Sequence, residues 1–194
     1  MASTMTRQQA WEILCRFTQG ESLRRHALAV EAAMAFYARR FGEDEELWRV
    51  VGLLHDFDYE QNPSPPDHTR EGARILRGMG VEETIVGAVL SHAEWNLDEY
   101  PRDTGMRRTL FAVDEMCGFL MACAWVRPTR LEGLEPKSVR KKIKTPAFAA
   151  AVSRSDLHTG AEILDLSLDE HIANCLEALQ AVAPDLGLTP PGQE

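Results

Sequence analysis

Lysine is scarce: the 194-residue sequence has four against 17 arginines, and all four (Lys137, Lys141, Lys142, Lys144) fall within eight residues. Positive charge is also outweighed, with 21 Lys and Arg facing 30 Asp and Glu for a formal net charge of −9. Broad, non-specific nucleic-acid binding needs a positive footprint, so nucleic acid is not an expected partner. Long apolar runs are missing. The longest uncharged one, Met116 to Val126, has eleven residues, whereas a bilayer helix needs about 20. No membrane association is expected. The stretch from Met1 to Arg7 lacks the apolar core of a signal peptide. The four cysteines (15, 117, 123, 175) form no CxxC pair and sit among apolar residues. Free buried thiols in a reducing cytosol are the reading, hence a cytoplasmic location. No alternating run reads as a strand, and neither an internal repeat nor a domain linker stands out.

What is present is helical periodicity at a composition of 44% hydrophobic and 26% charged residues, usual for a globular chain. One domain is expected at this length. Apolar residues recur at three and four in Trp11, Leu14, Cys15 and again in Leu23, Ala27, Val30, Met34, Tyr37, Phe41, with Gly42 as terminator. Glu43-Asp44-Glu45-Glu46 opens a third helix, which reaches His55-Asp56. Asn62-Pro63-Ser64-Pro65-Pro66 is a loop. Asp67 is a plausible N-cap for the next helix. Further helices are expected from Val81 to His92, Arg107 to Val126 and Pro136 to Ile143. Another would start with Thr145 as N-cap and Pro146 behind it, and one more would be capped by Ser155. Ser167-Leu168-Asp169-Glu170 is a capping box for the last, ending near Ala183. The expectation is all-α: a single helical bundle over 1–183, with C-terminal helices in 136–183 and a flexible Pro/Gly-rich tail over 184–194.

Four of the six histidines, His26, His55, His68 and His92, fall on successive helices or their ends. Neighbours in a helix point about 100° apart. His55 and Asp56 therefore reach one centre most easily where their helix stops. Asp114 sits mid-helix among Leu110, Phe111, Cys117 and Gly118, where an ionised carboxylate is costly unless paired or bound to metal. Imidazole plus carboxylate without thiolate suits Mn, Fe, Co, Ni or Zn better than a dedicated calcium site, with Mg also possible. Taken singly, each residue has an ordinary reading: a hydrogen-bonded core histidine, or a carboxylate paired with Arg107 or Arg108. His158 and His171 have no ligand partners at useful spacing.

The order H…HD…H…H…D, in Arg24-Arg25-His26, Leu54-His55-Asp56, His68-Thr69-Arg70-Glu71-Gly72, Leu90-Ser91-His92 and Phe111-Ala112-Val113-Asp114, resembles the HD superfamily of metal-dependent phosphohydrolases. The resemblance covers about the first two-thirds of the chain and implies an HD-type core over 21–126. It implies that His26, His55, Asp56 and Asp114 hold one divalent ion. Asp56 would bridge to a second, held also by His68 and His92. Bridged ions ~3.5–4 Å apart can share and acidify one water, which cleaves a small phosphate ester or nucleotide. Asp56 is then a catalytic residue as well as a ligand. Glu94 would orient the water or an imidazole.

Many relatives continue His-Asp as Ile-Gly-Lys; here Phe57-Asp58-Tyr59 follows. His92 runs into Ala93-Glu94-Trp95-Asn96 with no Gly-Tyr-Pro, which sets cyclic di-GMP aside. One alternative is an HD-type di-iron oxygenase acting on a small polar or phosphonate substrate. The Tyr expected before the first His is missing from Phe17 to Ser22. A second alternative is a non-catalytic nucleotide sensor. Two divalent ions would outweigh the two ligand carboxylates, so the expected partner is a small anionic substrate; a homo-oligomer is also possible. The lysine cluster, with Lys141 and Lys142 foremost, has two readings: it faces the metal site and holds substrate phosphate, or it is a solvated helix face paired with Glu132, Glu135 or acids elsewhere. Trp95 is a candidate pocket residue.

Overall fold

Six alanines, at 27, 29, 32, 33, 35 and 38, are buried along the second helix, and their small side chains let its neighbours approach closely. The computed structural model describes residues 5–192. Among them the chain forms α1 (Arg7–Phe17), α2 (Glu21–Phe41), α3 (Glu45–Leu54), α4 (Asp67–Gly78), α5 (Glu83–His92), a 3-10 turn (Glu94–Asn96), α6 (Gly105–Trp125), α7 (Pro136–Ile143), α8 (Arg154–Ile163) and α9 (Leu168–Ala181), with no strand. The all-α expectation is met.

α2 packs against α3, α6 and α9. Its closest approach is to Gly52 of α3, where a Cβ would lie 2.7 Å from the Glu31 Cα. α6 is apolar nearly all round, with Leu110, Val113, Met116, Phe119 and Leu120 buried. It is therefore central rather than amphipathic. Truncating such a leucine to alanine costs about 2–5 kcal/mol, through lost transfer energy and the cavity left behind.

Side-chain caps explain where several helices begin. The hydroxyl of Thr6 accepts from the Gln9 amide, the Asp44 carboxylate from Leu47, and the Ser167 hydroxyl from Glu170. α2 ends at Gly42 in the left-handed conformation (φ 71°), a conformation glycine adopts without steric cost.

Four local expectations are corrected. Asp67 caps nothing: the backbone breaks at His68 (ψ 135°) and Thr69 (φ 67°), so the regular helix starts later. Its free amides at Thr69 and Gly72 are taken by Asp58 from the preceding loop, each at 3.0 Å. The helix expected behind Thr145 is a series of turns. The Arg154 guanidinium takes the carbonyls of Phe148, Ala149 and Val152 that such a helix would use. α8 is capped by Ser153 rather than Ser155. The tail is not loose up to Leu188: Leu186 and Leu188 are fully buried, and the Leu131 amide donates to the Leu188 carbonyl. Gly187, at φ 66°, turns the chain so that both leucines enter the core. An average composition rich in Pro and Gly hides these two anchors.

Candidate metal centre

The histidines and aspartates reach the centre mostly from helix ends. His26 comes from the second turn of α2, and His55 caps the C-terminus of α3 with Asp56 in the turn beyond. His68 sits at the break opening α4, and His92 is the last residue of α5. Asp114 projects from the middle of α6.

Two groups of ligand atoms result, His26-His55-Asp56 and Asp56-His68-His92, with atoms within 4.8 Å of one another in each. Asp56 belongs to both. Its Oδ1 lies 3.2 Å from Nε2 of His68 and 3.2 Å from Nε2 of His92. Its Oδ2 lies 3.6 Å from Nε2 of His55. Asp114 Oδ1 joins the first group, 2.9 Å from His26 Nε2 and 3.5 Å from His55 Nε2.

The far side of three of the four rings is pinned. His55 Nδ1 donates to the Gly52 carbonyl (2.8 Å) and His92 Nδ1 to the Val89 carbonyl (2.6 Å). His68 Nδ1 donates to Asp58 Oδ1 at 3.2 Å. A carbonyl or carboxylate accepts only, so Nδ1 carries the proton and Nε2 offers the lone pair. His55 Nε2 is buried with no hydrogen-bond partner. An orphaned buried nitrogen is costly unless something fills its lone pair, and a cation does so. The donor set of imidazole and carboxylate fits a divalent ion.

Without an ion, protons take its place. Burial opposes a charge on His55, yet Asp56 and Asp114 outweigh it and raise its pKa to about 9. His68 is likewise raised to about 9, against burial, by Asp56 and Asp58. Burial would push Asp56 and Asp114 up, but the imidazoles around them hold both well below the usual carboxylate range.

The cluster floors an open cavity of about 380 Å³, walled by Tyr59, Glu94, Trp95, Phe111, Glu115 and Asp156 among others. Glu94 and Trp95 are among the lining residues. Lys141 and Lys142 are not, which corrects the reading that they face the metals and leaves the solvated helix face. α7 packs Val139 and Ile143 inward against α9 and α6, leaving the lysines exposed. Lys142 Nζ sits over the Phe148 ring instead, 4.6 Å from its centre. His171 is a core histidine, donating from Nε2 to the Ala112 carbonyl and accepting from Tyr37.

Three residues had no role assigned from the sequence. Asp58 is fully buried and accepts from Thr69, Gly72 and His68. Its signal was a second acid two positions after Asp56. Asn96 donates to Thr69 Oγ1 and to the Leu90 carbonyl, tying the start of α4 to the end of α5. Glu115 lines the cavity with its pKa pushed up to about 7, by burial and then by the neighbouring Asp114.

The fold and this cluster define an all-α domain whose His and Asp side chains could hold divalent metal. A sequence model of the HD domain matches residues 23–145, and the chain belongs to that family. HD domains are commonly metal-dependent hydrolases. No solved structure matches the chain. No helix among the described residues is long and apolar enough to cross a membrane.

Proposed function

We propose that this protein is a phosphohydrolase that uses two divalent transition-metal ions to cleave a small phosphate ester or nucleotide. The observation that carries the reading is the two-sided use of Asp56: one oxygen faces His68 and His92, the other faces His55. A single carboxylate with one oxygen turned to each group is what a bridge between two ions requires.

His26, His55, Asp56 and Asp114 would hold one ion, and Asp56, His68 and His92 the other. When bound, the ions supply Lewis acidity and a water acidified to near-neutral pKa. The protein does the rest. Gly52, Val89 and Asp58 fix three imidazoles so that each Nε2 faces inward. Glu94, an exposed residue of the cavity lining, would accept a proton from the attacking water or hand one to the leaving oxygen. Tyr59 and Trp95 stand edge-on to His68, with ring centres 5.1 and 6.0 Å away. Both are partly exposed, and they offer flat apolar surface to the organic part of a substrate.

The test is metal analysis of chain purified without chelator, beside His55→Ala and His68→Ala, with hydrolysis of p-nitrophenyl phosphate. About two ions in the parent chain, one in the His68 variant and none in the His55 variant are expected, with turnover following occupancy. Wild-type chain without metal sinks the reading. Iron with an optical band, oxygen uptake and no ester cleavage would replace it with the oxygenase alternative.

A further inference from the structure

Five carboxylates, Asp56, Glu94, Asp114, Glu115 and Asp156, line the cavity, and no lysine or arginine is among its lining residues. Arg102 stands outside, behind the Phe111 ring, and donates to the Ser91 and His92 carbonyls. Asp56 and Asp114 approach the imidazoles of the metal centre. Glu94, Glu115 and Asp156 belong to neither group of ligand atoms. Two divalent ions would therefore draw an anion to the floor of the cavity and leave its walls acidic.

Packing gathers these wall acids beside aromatic rings. Glu115 follows Asp114 on α6, and α8 packs against α6 with Asp156 in its first turn. Phe111 lies one turn before Glu115, on the same face of α6. Tyr59 and Trp95 come from the turns beyond α3 and α5, and both are exposed to the cavity they line. Glu115 and Asp156 are partly buried, and neither pairs with a lysine or arginine among the described residues. Glu31, Glu45 and Asp169, also shielded from water, each have an arginine. A carboxylate held partly out of water without a counter-charge is costly, and a cation arriving beside it relieves that cost.

We propose that the ligand of this cavity carries an ammonium group as well as a phosphoryl group, and that the substrate is accordingly the phosphate ester of an amino alcohol. The phosphoryl group lies at the metal floor and the ammonium against Glu115 and Asp156. The inference rests on the phosphohydrolase reading and names the substrate class for it. Carboxylate oxygens accept charge-assisted hydrogen bonds from an ammonium, and aromatic faces such as those of Tyr59, Trp95 and Phe111 attract its charge. The same walls disfavour an ester whose organic part carries a further carboxylate or phosphate, which would meet acids there. Hydrolysis breaks the P–O bond: the water oxygen ends on phosphorus and one of its protons on the leaving oxygen. Inorganic phosphate and the amino alcohol depart, with the ammonium unchanged. A cavity of about 380 Å³ admits a molecule of this size.

The experiment uses the full chain loaded with Mn, as wild type, Glu115→Gln and Asp156→Asn. Calorimetry measures the binding of aminopropylphosphonate, which carries the ammonium and has no ester to cleave, against butylphosphonate, its counterpart with an uncharged chain. Metal content and phosphate release from phosphoethanolamine and propyl phosphate are measured beside it. Wild-type chain is expected to bind the amino compound about tenfold tighter or more, and to prefer phosphoethanolamine by a similar ratio of kcat/KM. Each variant should lose most of that preference while holding as much metal as wild type. Equal affinity for the two phosphonates overturns the proposal. So does a preference that survives in both variants, or one that falls only in step with bound metal. A binding preference with neither ester hydrolysed brings down the phosphohydrolase reading and leaves the ammonium site standing. Metal-loaded wild type that binds neither phosphonate overturns both.

Discussion

Asp58 Oδ1 lies 3.2 Å from Nδ1 of His68, and the other oxygen of the same carboxylate takes the amides of Thr69 and Gly72. One fully buried side chain thus orients a metal ligand and holds the break that places it. Thr69 is β-branched and sits at φ 67°, a conformation that costs about 1–3 kcal/mol and persists only where its surroundings enforce it. Asp58→Ala is expected to destabilise the fold by about 2–4 kcal/mol, because two amides and an imidazole lose a charged acceptor. Asp58→Asn keeps the shape and removes the charge. It should fold and bind the second ion about 10–100-fold more weakly. Metal titration of the folded variant checks this; unchanged affinity would remove Asp58 from the site.

The metal-free chain should lose stability as pH rises. His55 and His68 titrate near 9 in the fold and near 6.5 when unfolded. A raised folded value means the contribution is complete below about 6.5 and disappears as pH climbs through about 9. Calorimetric melts of chelated protein should therefore show Tm falling between pH 6.5 and 9.5. Metal must displace the same protons, so affinity should rise over that window, with proton release visible in buffers of different ionisation enthalpy. A flat Tm and no proton release would contradict the assignment.

Gly52→Ala is expected to part α2 from α3. The new Cβ would sit 2.7 Å from the Glu31 Cα, and the obstacle is backbone, which cannot rotate away. A loss of about 1–3 kcal/mol is expected from overpacking. Because the Gly52 carbonyl also accepts from His55 Nδ1, first-ion affinity should drop as well. Chemical denaturation and metal titration measure the two effects separately.

Lys141→Ala and Lys142→Ala should leave metal content and KM for a phosphate ester within about twofold of wild type. Stability should stay within about 0.5 kcal/mol, as for exposed positions generally. A large rise in KM would mean that α7 moves to the cavity when substrate binds.

Much of the fold is legible in the sequence. The period of apolar residues marks α2, α5 and α6, and Pro136 and Ser167 mark the starts of α7 and α9. Those signals are local: a hydrophobic stripe, a cap or a ring that fixes φ acts within a few residues. The H…HD…H…H…D order is legible through its resemblance to the HD family, not through a local signal: Asp114 lies in the middle of α6. Asp67 misled because a capping residue competes with any other acceptor that reaches the same amides, and Asp58 reaches them across the loop. Leu186 and Leu188 were hidden by the prolines and glycines around them.

Sequence was enough for an all-helical chain, because helical periodicity and caps are short-range chemistry, and its resemblance to the HD family implied the His/Asp centre. Long-range packing settled which charges meet. It turned Asp58 and Asn96 onto the ligand-bearing segments, buried the last leucines, and carried the lysines away from the cavity while seating Arg102 against its wall. Sequence separation does not encode these contacts: Arg102 meets Phe111 and His92 only because α5 and α6 pack together.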